Sequence, residues 1–122
     1  MTQEQKDLLL KDLCARLPYG VKCLFEDNIE TIKSIWFDED EGYQIDSNKT
    51  STCIHAVKPY LFPLSSMTKK QIKELQSLMI SDSFGILYHT IESYDYLYKN
   101  HIDIRGLIPI GLAIDATGLN IY

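Results

Sequence analysis

The chain has 122 residues and a mass of 14.1 kDa, which fits one domain and excludes two packed domains. Hydrophobic residues make up 45% of the sequence, and no apolar run reaches the ~18 residues of a membrane span. The net charge of −5 disfavours non-specific attraction to nucleic acid or anionic lipid. Met1 to Lys11 lacks the pattern of a secretory signal. We therefore expect one soluble domain over residues 1–122, in the cytoplasm and without membrane contact.

The chain has one acidic and one basic segment, which are neighbours in the sequence. Glu26 to Asp46 contains eight acidic residues and one lysine, whereas Ser47 to Lys73 contains five lysines and no acidic residue. Any attraction of a charged ligand is therefore expected to be local.

The first predicted element is a helix from about Gln3 to Leu17. Thr2 and Gln5 have the spacing of a capping box. Asp12 and Arg16 form a favourable i,i+4 pair worth ~0.2–0.5 kcal/mol. Four apolar residues recur at helical spacing and predict the buried face: Leu10, Leu13, Cys14 and Leu17.

Four strands are predicted next, separated by short polar turns. The first, Val21 to Glu26, alternates between apolar and polar residues, with Val21, Cys23 and Phe25 on the apolar face. The second, Glu30 to Phe37, has apolar residues on both faces and so predicts a central strand with Trp36 in the core. Tyr43 to Asp46 and Cys53 to Tyr60 complete the set. Sequential strands with short connections favour an antiparallel meander.

The second half of the chain predicts two helices and an irregular tail. Thr68 and Gln71 repeat the capping-box spacing, and the second helix ends at Ser81 to Gly85. Its predicted buried stripe is Ile72, Leu75, Leu78 and Met79. Ile86 to His101 fits either a strand or a helix, and its length favours a helix from about Glu92 to Asn100. The apolar tail, Gly106 to Tyr122, is expected to pack irregularly across the core. The predicted fold class is α+β.

The start of the second helix is a candidate anion site. Ser65, Ser66, Thr68, Lys69 and Lys70 bring hydroxyl and ammonium groups to a helix N-terminus, where free N–H groups and the helix dipole favour a phosphate or carboxylate. A plain capped helix with solvated lysines is the alternative. No glycine-rich phosphate loop precedes it, so a nucleotide site is not indicated.

Tyr94, Tyr96 and Tyr98 form a candidate partner surface. Acidic Glu92 and Asp95 flank them, which disfavours base stacking and makes nucleic-acid binding unlikely. Tyrosine is enriched in protein interfaces, so a protein partner or self-association is the functional interpretation. Core packing with solvated hydroxyls is the alternative.

Metal and catalytic motifs are absent at the sequence level. The acidic run Asp38 to Glu41 lacks EF-hand spacing, and Cys53 with His55 lacks the spacing of a zinc site or a catalytic dyad. We expect no metal and no cofactor, and the absence of a catalytic motif favours a non-enzymatic protein over an enzyme. The three cysteines, Cys14, Cys23 and Cys53, are expected to be reduced and mostly buried.

Three strings have a family resemblance: Asp12 to Lys22 (DLCARLPYGVK), Lys58 to Thr68 (KPYLFPLSSMT) and Tyr94 to Ala116 (YDYLYKNHIDIRGLIPIGLAIDA). They resemble an uncharacterised family of small proteins encoded by gut anaerobes and their phages and mobile elements. The resemblance implies a mobile-element setting and no particular reaction.

Three function classes follow from the sequence. The first is a non-enzymatic interaction module, such as a phage or mobile-element accessory protein that binds a host or self partner. The second is a small-anion binding protein or small hydrolase that uses the start of the second helix. The third is a structural subunit of an oligomer.

Overall fold

The computed structural model describes all 122 residues, with three α-helices and nine short strands. The helices are α1 (Gln3–Arg16), α2 (Lys69–Ser77) and α3 (Ile91–Lys99). The strands are β1 (Lys22–Phe25), β2 (Asn28–Thr31), β3 (Ser34–Asp38), β4 (Gly42–Asp46), β5 (Ser51–Cys53), β6 (Val57–Leu61), β7 (Ile80–Ser81), β8 (Leu87–Tyr88) and β9 (Ile114–Asp115). The predicted α+β class, with an N-terminal helix and two further helices, is confirmed. None of the helices has the length and apolar character needed to cross a membrane.

The strands form three sheets instead of a single four-stranded meander. The first sheet has the order β2-β1-β6-β9, and its β6–β9 pair is parallel. The second sheet, β3-β4-β5, is an antiparallel meander. Strands β7 and β8 pair only with each other, as a hairpin.

The predicted strand Glu30 to Phe37 is divided between the first two sheets. The N–H of Ile32 donates to Val21 O in the first sheet (3.2 Å), and the N–H of Lys33 donates to Asp46 O in the second (2.7 Å). The chain therefore changes sheets at this point. Ile32 is buried, whereas the residues that follow belong to a different layer.

Trp36 is consequently not a core residue, and its predicted burial is wrong. It lies on β3 with 44% of its surface exposed, beside Phe37 at 59%. Its indole Nε1 donates to Asp46 Oδ2 at 3.0 Å. Periodicity alone does not distinguish a strand covered on both faces from one in a peripheral sheet.

A second change of sheet divides the predicted strand Cys53 to Tyr60. A 3-10 turn at Ile54–Ala56 separates β5 in the second sheet from β6 in the first. Because β6 pairs with β1 on one side and β9 on the other, it is one of the two inner strands of the first sheet, and its residues are mostly buried.

The core lies between α1, the first sheet and the tail, and Ile45 of β4 and Ile54 also belong to it. Val21, Cys23 and Phe25 are buried as predicted. The tail supplies further core residues, and β9 is its only regular element, so the prediction of an apolar tail closing the core is confirmed. The tail residues in the core cluster are Leu107, Leu112 and Ala113.

The buried face of α1 is rotated by about one residue from the predicted stripe. The buried residues are Leu9, Asp12, Leu13 and Arg16, and Cys14 is exposed. The expected burial of Cys14 is therefore wrong, whereas Cys23 is buried and Cys53 is half-buried. The rotation arises because a polar pair, Asp12 and Arg16, occupies positions that a hydrophobic pattern assigns to solvent.

The predicted capping boxes of α1 and α2 are both present. Helix α2 ends at Ser77, earlier than predicted, and contains no fully buried residue. Ile72 is 42% exposed, so the predicted buried stripe is only partly covered. Helix α3 begins and ends within one residue of the prediction. Helix α2 is therefore the more exposed of the two, whereas α3 buries Ser93 and Leu97.

Candidate functional site

The candidate anion-site residues at the start of α2 are partly engaged in local hydrogen bonds. The Thr68 hydroxyl accepts from the Gln71 N–H (3.1 Å) in the capping box, and the Ser66 hydroxyl donates to Pro63 O (2.6 Å). Ser65, Lys69 and Lys70 are exposed. Lys70 Nζ lies 4.0 Å from Glu74. The residues lie together, and anion binding stays a prediction.

The three tyrosines of α3 do not share one face of the helix. Residues two apart on a helix lie about 200° apart around its axis, so Tyr96 faces away from Tyr94 and Tyr98. Tyr96 donates its hydroxyl to Glu74 Oε2 at 2.6 Å, and desolvation together with this bond raises its pKa to about 12. Tyr96 therefore links α3 to α2. Tyr94 is the most exposed of the three at 44%.

Further exposed apolar side chains lie on the β7–β8 hairpin, of which Ser81 to Gly85 was predicted to end the second helix and Ile86 onward to be strand or helix. We define the hairpin surface by its exposed apolar side chains: Ile80, Phe84, Ile86, Leu87 and Tyr88 on the hairpin, with Ile91 and Tyr94 on α3. Phe84 at the tip is 87% exposed. Between Ile80 and Ile91 the only charged residue is Asp82.

The tip of the hairpin is ordered by the Asp82 carboxylate. Its Oδ1 accepts the N–H groups of Phe84 (2.8 Å) and Ile86 (2.9 Å), and its Oδ2 accepts the Tyr88 hydroxyl (3.1 Å). The bonds from Ile86 and Phe84 hold the pKa of Asp82 below its ordinary value. Gly85 adopts φ +80, which a residue with a side chain rarely does. The turn therefore presents Phe84 from a fixed backbone.

The base of the hairpin is joined to both helices through Thr90, the N-cap of α3. Its hydroxyl accepts from the Ser93 N–H (3.1 Å) and donates to Leu78 O at the end of α2 (2.6 Å). Beside it, the His89 ring lies 4.8 Å from the Tyr94 ring. The hairpin is thus held at its root as well as at its tip.

Helix α3 is anchored to α1 by a buried charge cluster. Asp12 and Arg16 are fully buried. Arg16 Nε donates to Asp12 Oδ2 (2.7 Å), Arg105 Nη1 donates to Asp12 Oδ1 (3.1 Å), and Arg16 Nη2 donates to Ile102 O (2.6 Å). The two guanidinium carbons lie 5.3 and 5.5 Å from the centre of the Tyr98 ring. Tyr98 is therefore part of a cation–π arrangement.

His101 follows α3 in a strained position. The N–H of His101 donates to Tyr98 O and that of Ile102 donates to Leu97 O, which forms a Schellman motif with His101 at the left-handed position, φ +59. Its ring stacks on Tyr122 at 3.7 Å, and its Nδ1 is buried without a hydrogen-bond partner. Burial, with Arg16 and Lys22 nearby, lowers its pKa to about 4, so the imidazole is neutral at pH 7.

No group of three or more metal-ligating side chains comes together in the structure. Comparisons with known protein families, curated proteins and solved structures found no match to this chain. The functional argument therefore depends on the geometry of the chain itself.

Of the predicted partner residues, only Tyr94 joins the hairpin surface. Sequence reasoning missed Phe84 and the hairpin. A signal was present, since Asp82-Ser83-Phe84-Gly85 is a turn sequence between apolar residues.

Proposed function

We propose that the protein is a small non-enzymatic interaction module that binds a protein partner through the hairpin surface. The observation that carries the proposal is Phe84, 87% exposed on a turn that Asp82 holds in place. Large apolar side chains exposed together on one element are typical of protein interfaces. An aromatic side chain on an ordered backbone suits an interface anchor, because little conformational entropy is lost when it binds.

The composition of the hairpin surface specifies the chemistry of the partner. Asp82 is the only charged residue between Ile80 and Ile91, and its carboxylate oxygens are bonded to the hairpin itself. The partner is therefore expected to offer an apolar pocket or groove for Phe84. Binding through such a surface changes little with salt, since few ionic contacts form.

The outer edges of β7 and β8 add a second means of attachment. Neither strand pairs with any element other than its hairpin neighbour. An extended segment of the partner can therefore extend the hairpin by backbone hydrogen bonds. In the mobile-element setting that the three sequence strings imply, we propose that the partner is a protein of the host cell.

Site-specific photo-crosslinking tests this proposal. A photoreactive phenylalanine analogue at position 84 should give one discrete protein adduct in cells that produce the chain. The matched control carries the analogue at Phe37, which is 59% exposed on β3, in a different sheet. Excess unlabelled protein should compete for the adduct, whereas excess Phe84→Ser/Ile86→Ser protein should not.

Two results would contradict the proposal. One is the absence of a discrete adduct at position 84, and the other is the same adducts from positions 84 and 37. An adduct with twice the mass of the chain identifies the partner as a second copy. Phe84→Ser is expected to leave circular dichroism and thermal unfolding unchanged, because the side chain makes little contact with the core.

A further inference from the structure

A cavity of about 490 Å³ lies between α2, α3 and the loop after α3, and Tyr94 of the hairpin surface forms part of its wall. Six of its eight lining residues are hydrophobic, among them Leu75, Leu97 and Ile104, and the two others are His89 and Arg105. The volume is within the range of small-molecule sites, and a mostly apolar lining with few polar groups is their usual composition.

Arg105 brings an excess of positive charge to the wall of this cavity. Its only ion-pair partner is Asp12, and Asp12 is also paired with the fully buried Arg16. One carboxylate therefore faces two guanidinium groups. Since both oxygens of Asp12 accept from an arginine, the cluster has no further carboxylate oxygen to offer.

The guanidinium of Arg105 also has unused donors. Only its Nη1 is hydrogen-bonded to a protein acceptor, and the side chain is 24% exposed. An arginine fork matches the geometry of a carboxylate, and a charge-assisted pair of this kind is stronger than a neutral hydrogen bond. The second polar residue, His89, is already bonded through Nδ1 to Ser93.

We propose that this cavity binds a small monocarboxylate with an apolar body, with its carboxylate on Arg105 and its hydrocarbon part against Leu75, Leu97 and Ile104. Because only one guanidinium lies at the apolar wall, the cavity favours a ligand with one carboxylate over a dicarboxylate. The ligand is a small molecule, distinct from the protein partner proposed for the hairpin surface. The cavity is open to solvent on one side, so the expected Kd is ~0.1–1 mM.

Methyl NMR with matched probes tests the site. The probes are octanoate and 3-phenylpropionate, and the neutral controls are octanamide and 3-phenylpropanamide. The acids should shift the methyl signals of Leu75, Leu97 and Ile104, and the amides should bind at least about tenfold more weakly, because the charge-assisted pair is lost. The Arg105→Gln variant should bind the two acids more weakly than the wild type by a similar factor. Lys99→Gln, which removes an exposed positive charge from α3 outside the cavity, should leave their affinity unchanged.

A second variant keeps the test valid if Arg105→Gln disrupts the charge cluster and the protein unfolds. Leu64 lines the cavity and is 54% exposed, so Leu64→Trp can fill the space without disturbing the core. This variant should abolish the shifts. Equal binding of acid and amide, wild-type binding by Leu64→Trp, or no methyl shift at 10-fold the expected Kd would each overturn the proposal.

Failure of this proposal is distinguishable from failure of the proposed function. Phe84→Ser removes the tip of the hairpin surface and leaves the cavity lining intact. It should therefore bind octanoate as the wild type does, whatever its effect on the protein partner.

Discussion

Replacing Arg16 by methionine tests the buried charge cluster directly. The substitution keeps a long, unbranched side chain but removes the guanidinium. It takes away one of the two cations paired with Asp12 and leaves Ile102 O without the donor at 2.6 Å. Asp12 keeps its ion pair with Arg105 at 3.1 Å, so its carboxylate still has one cationic partner.

The magnitude follows from these two losses. Breaking a buried ion pair by removing one partner costs ~3–5 kcal/mol, and an unsatisfied buried carbonyl costs ~1–3 kcal/mol. The remaining contact with Arg105 offsets part of the first loss. We therefore expect Arg16→Met to lower the free energy of unfolding by ~3–5 kcal/mol, a large part of the ~6–18 kcal/mol typical of 122 residues.

Urea unfolding monitored by circular dichroism provides the assay, with the midpoint expected to fall and the slope m to stay constant. The matched control is Lys70→Met. Lys70 and Glu74 have the same i,i+4 spacing, but both are exposed, and such pairs contribute ~0–0.5 kcal/mol. Asp12→Asn should cost more than Arg16→Met, because it leaves two guanidinium groups without their carboxylate. A loss below ~1 kcal/mol for Arg16→Met would refute the reasoning.

Two further predictions concern protonation and thiol reactivity. Burial lowers the pKa of His101 in the folded protein to about 4. As the pH falls, the imidazole of His101 is therefore protonated in the unfolded chain before it is protonated in the folded protein. The free energy of unfolding should therefore decrease between pH 6.5 and 4, and His101→Asn, which tolerates the left-handed backbone, should remove that part of the decrease in urea titrations. Exposed Cys14 should react with a thiol reagent in the native protein, whereas buried Cys23, whose pKa burial raises, should react only on unfolding. Native labelling of Cys23 in a Cys14→Ser variant, at the rate of a free thiol, would contradict this assignment.

Local signals in the sequence predicted where α1 and α2 begin and where α3 ends. The capping boxes at Thr2 and Thr68 act through neighbouring backbone atoms, so their spacing is sufficient to locate two helix starts. The stop at Asn100 is similarly local. These features need no knowledge of the rest of the fold.

Burial that depends on residues distant in the sequence could not be predicted from local patterns. Asp12 and Arg16 have the pattern of a surface pair, but in the fold they meet distant partners, Arg105 (93 residues from Asp12) and the carbonyl of Ile102. Likewise, Trp36 lies in an apolar run, but the change of sheet at Ile32 moves it to the periphery. In both cases tertiary contacts outweigh the local pattern.

In the candidate site, too, local sequence and tertiary contacts determine different features. Tyr94 was predicted for the partner surface on composition alone, and its exposure agrees with such a role. Tyr96 and Tyr98 have the same composition, yet one bonds to Glu74 and the other lies beside two arginines. Side-chain type therefore does not show which of these residues face outward.

The parallel pairing of β6 with β9 has a consequence for synthesis on the ribosome. Tyr60 pairs with Ile114 and Leu61 with Asp115, and the N–H of Ala116 donates to Leu61 O. These contacts join residues more than 50 positions apart, and such non-local contacts slow folding. While the chain emerges, one edge of β6 stays unpaired and the core lacks its last apolar residues. The complete first sheet and core can therefore form only after about residue 116 has left the exit tunnel.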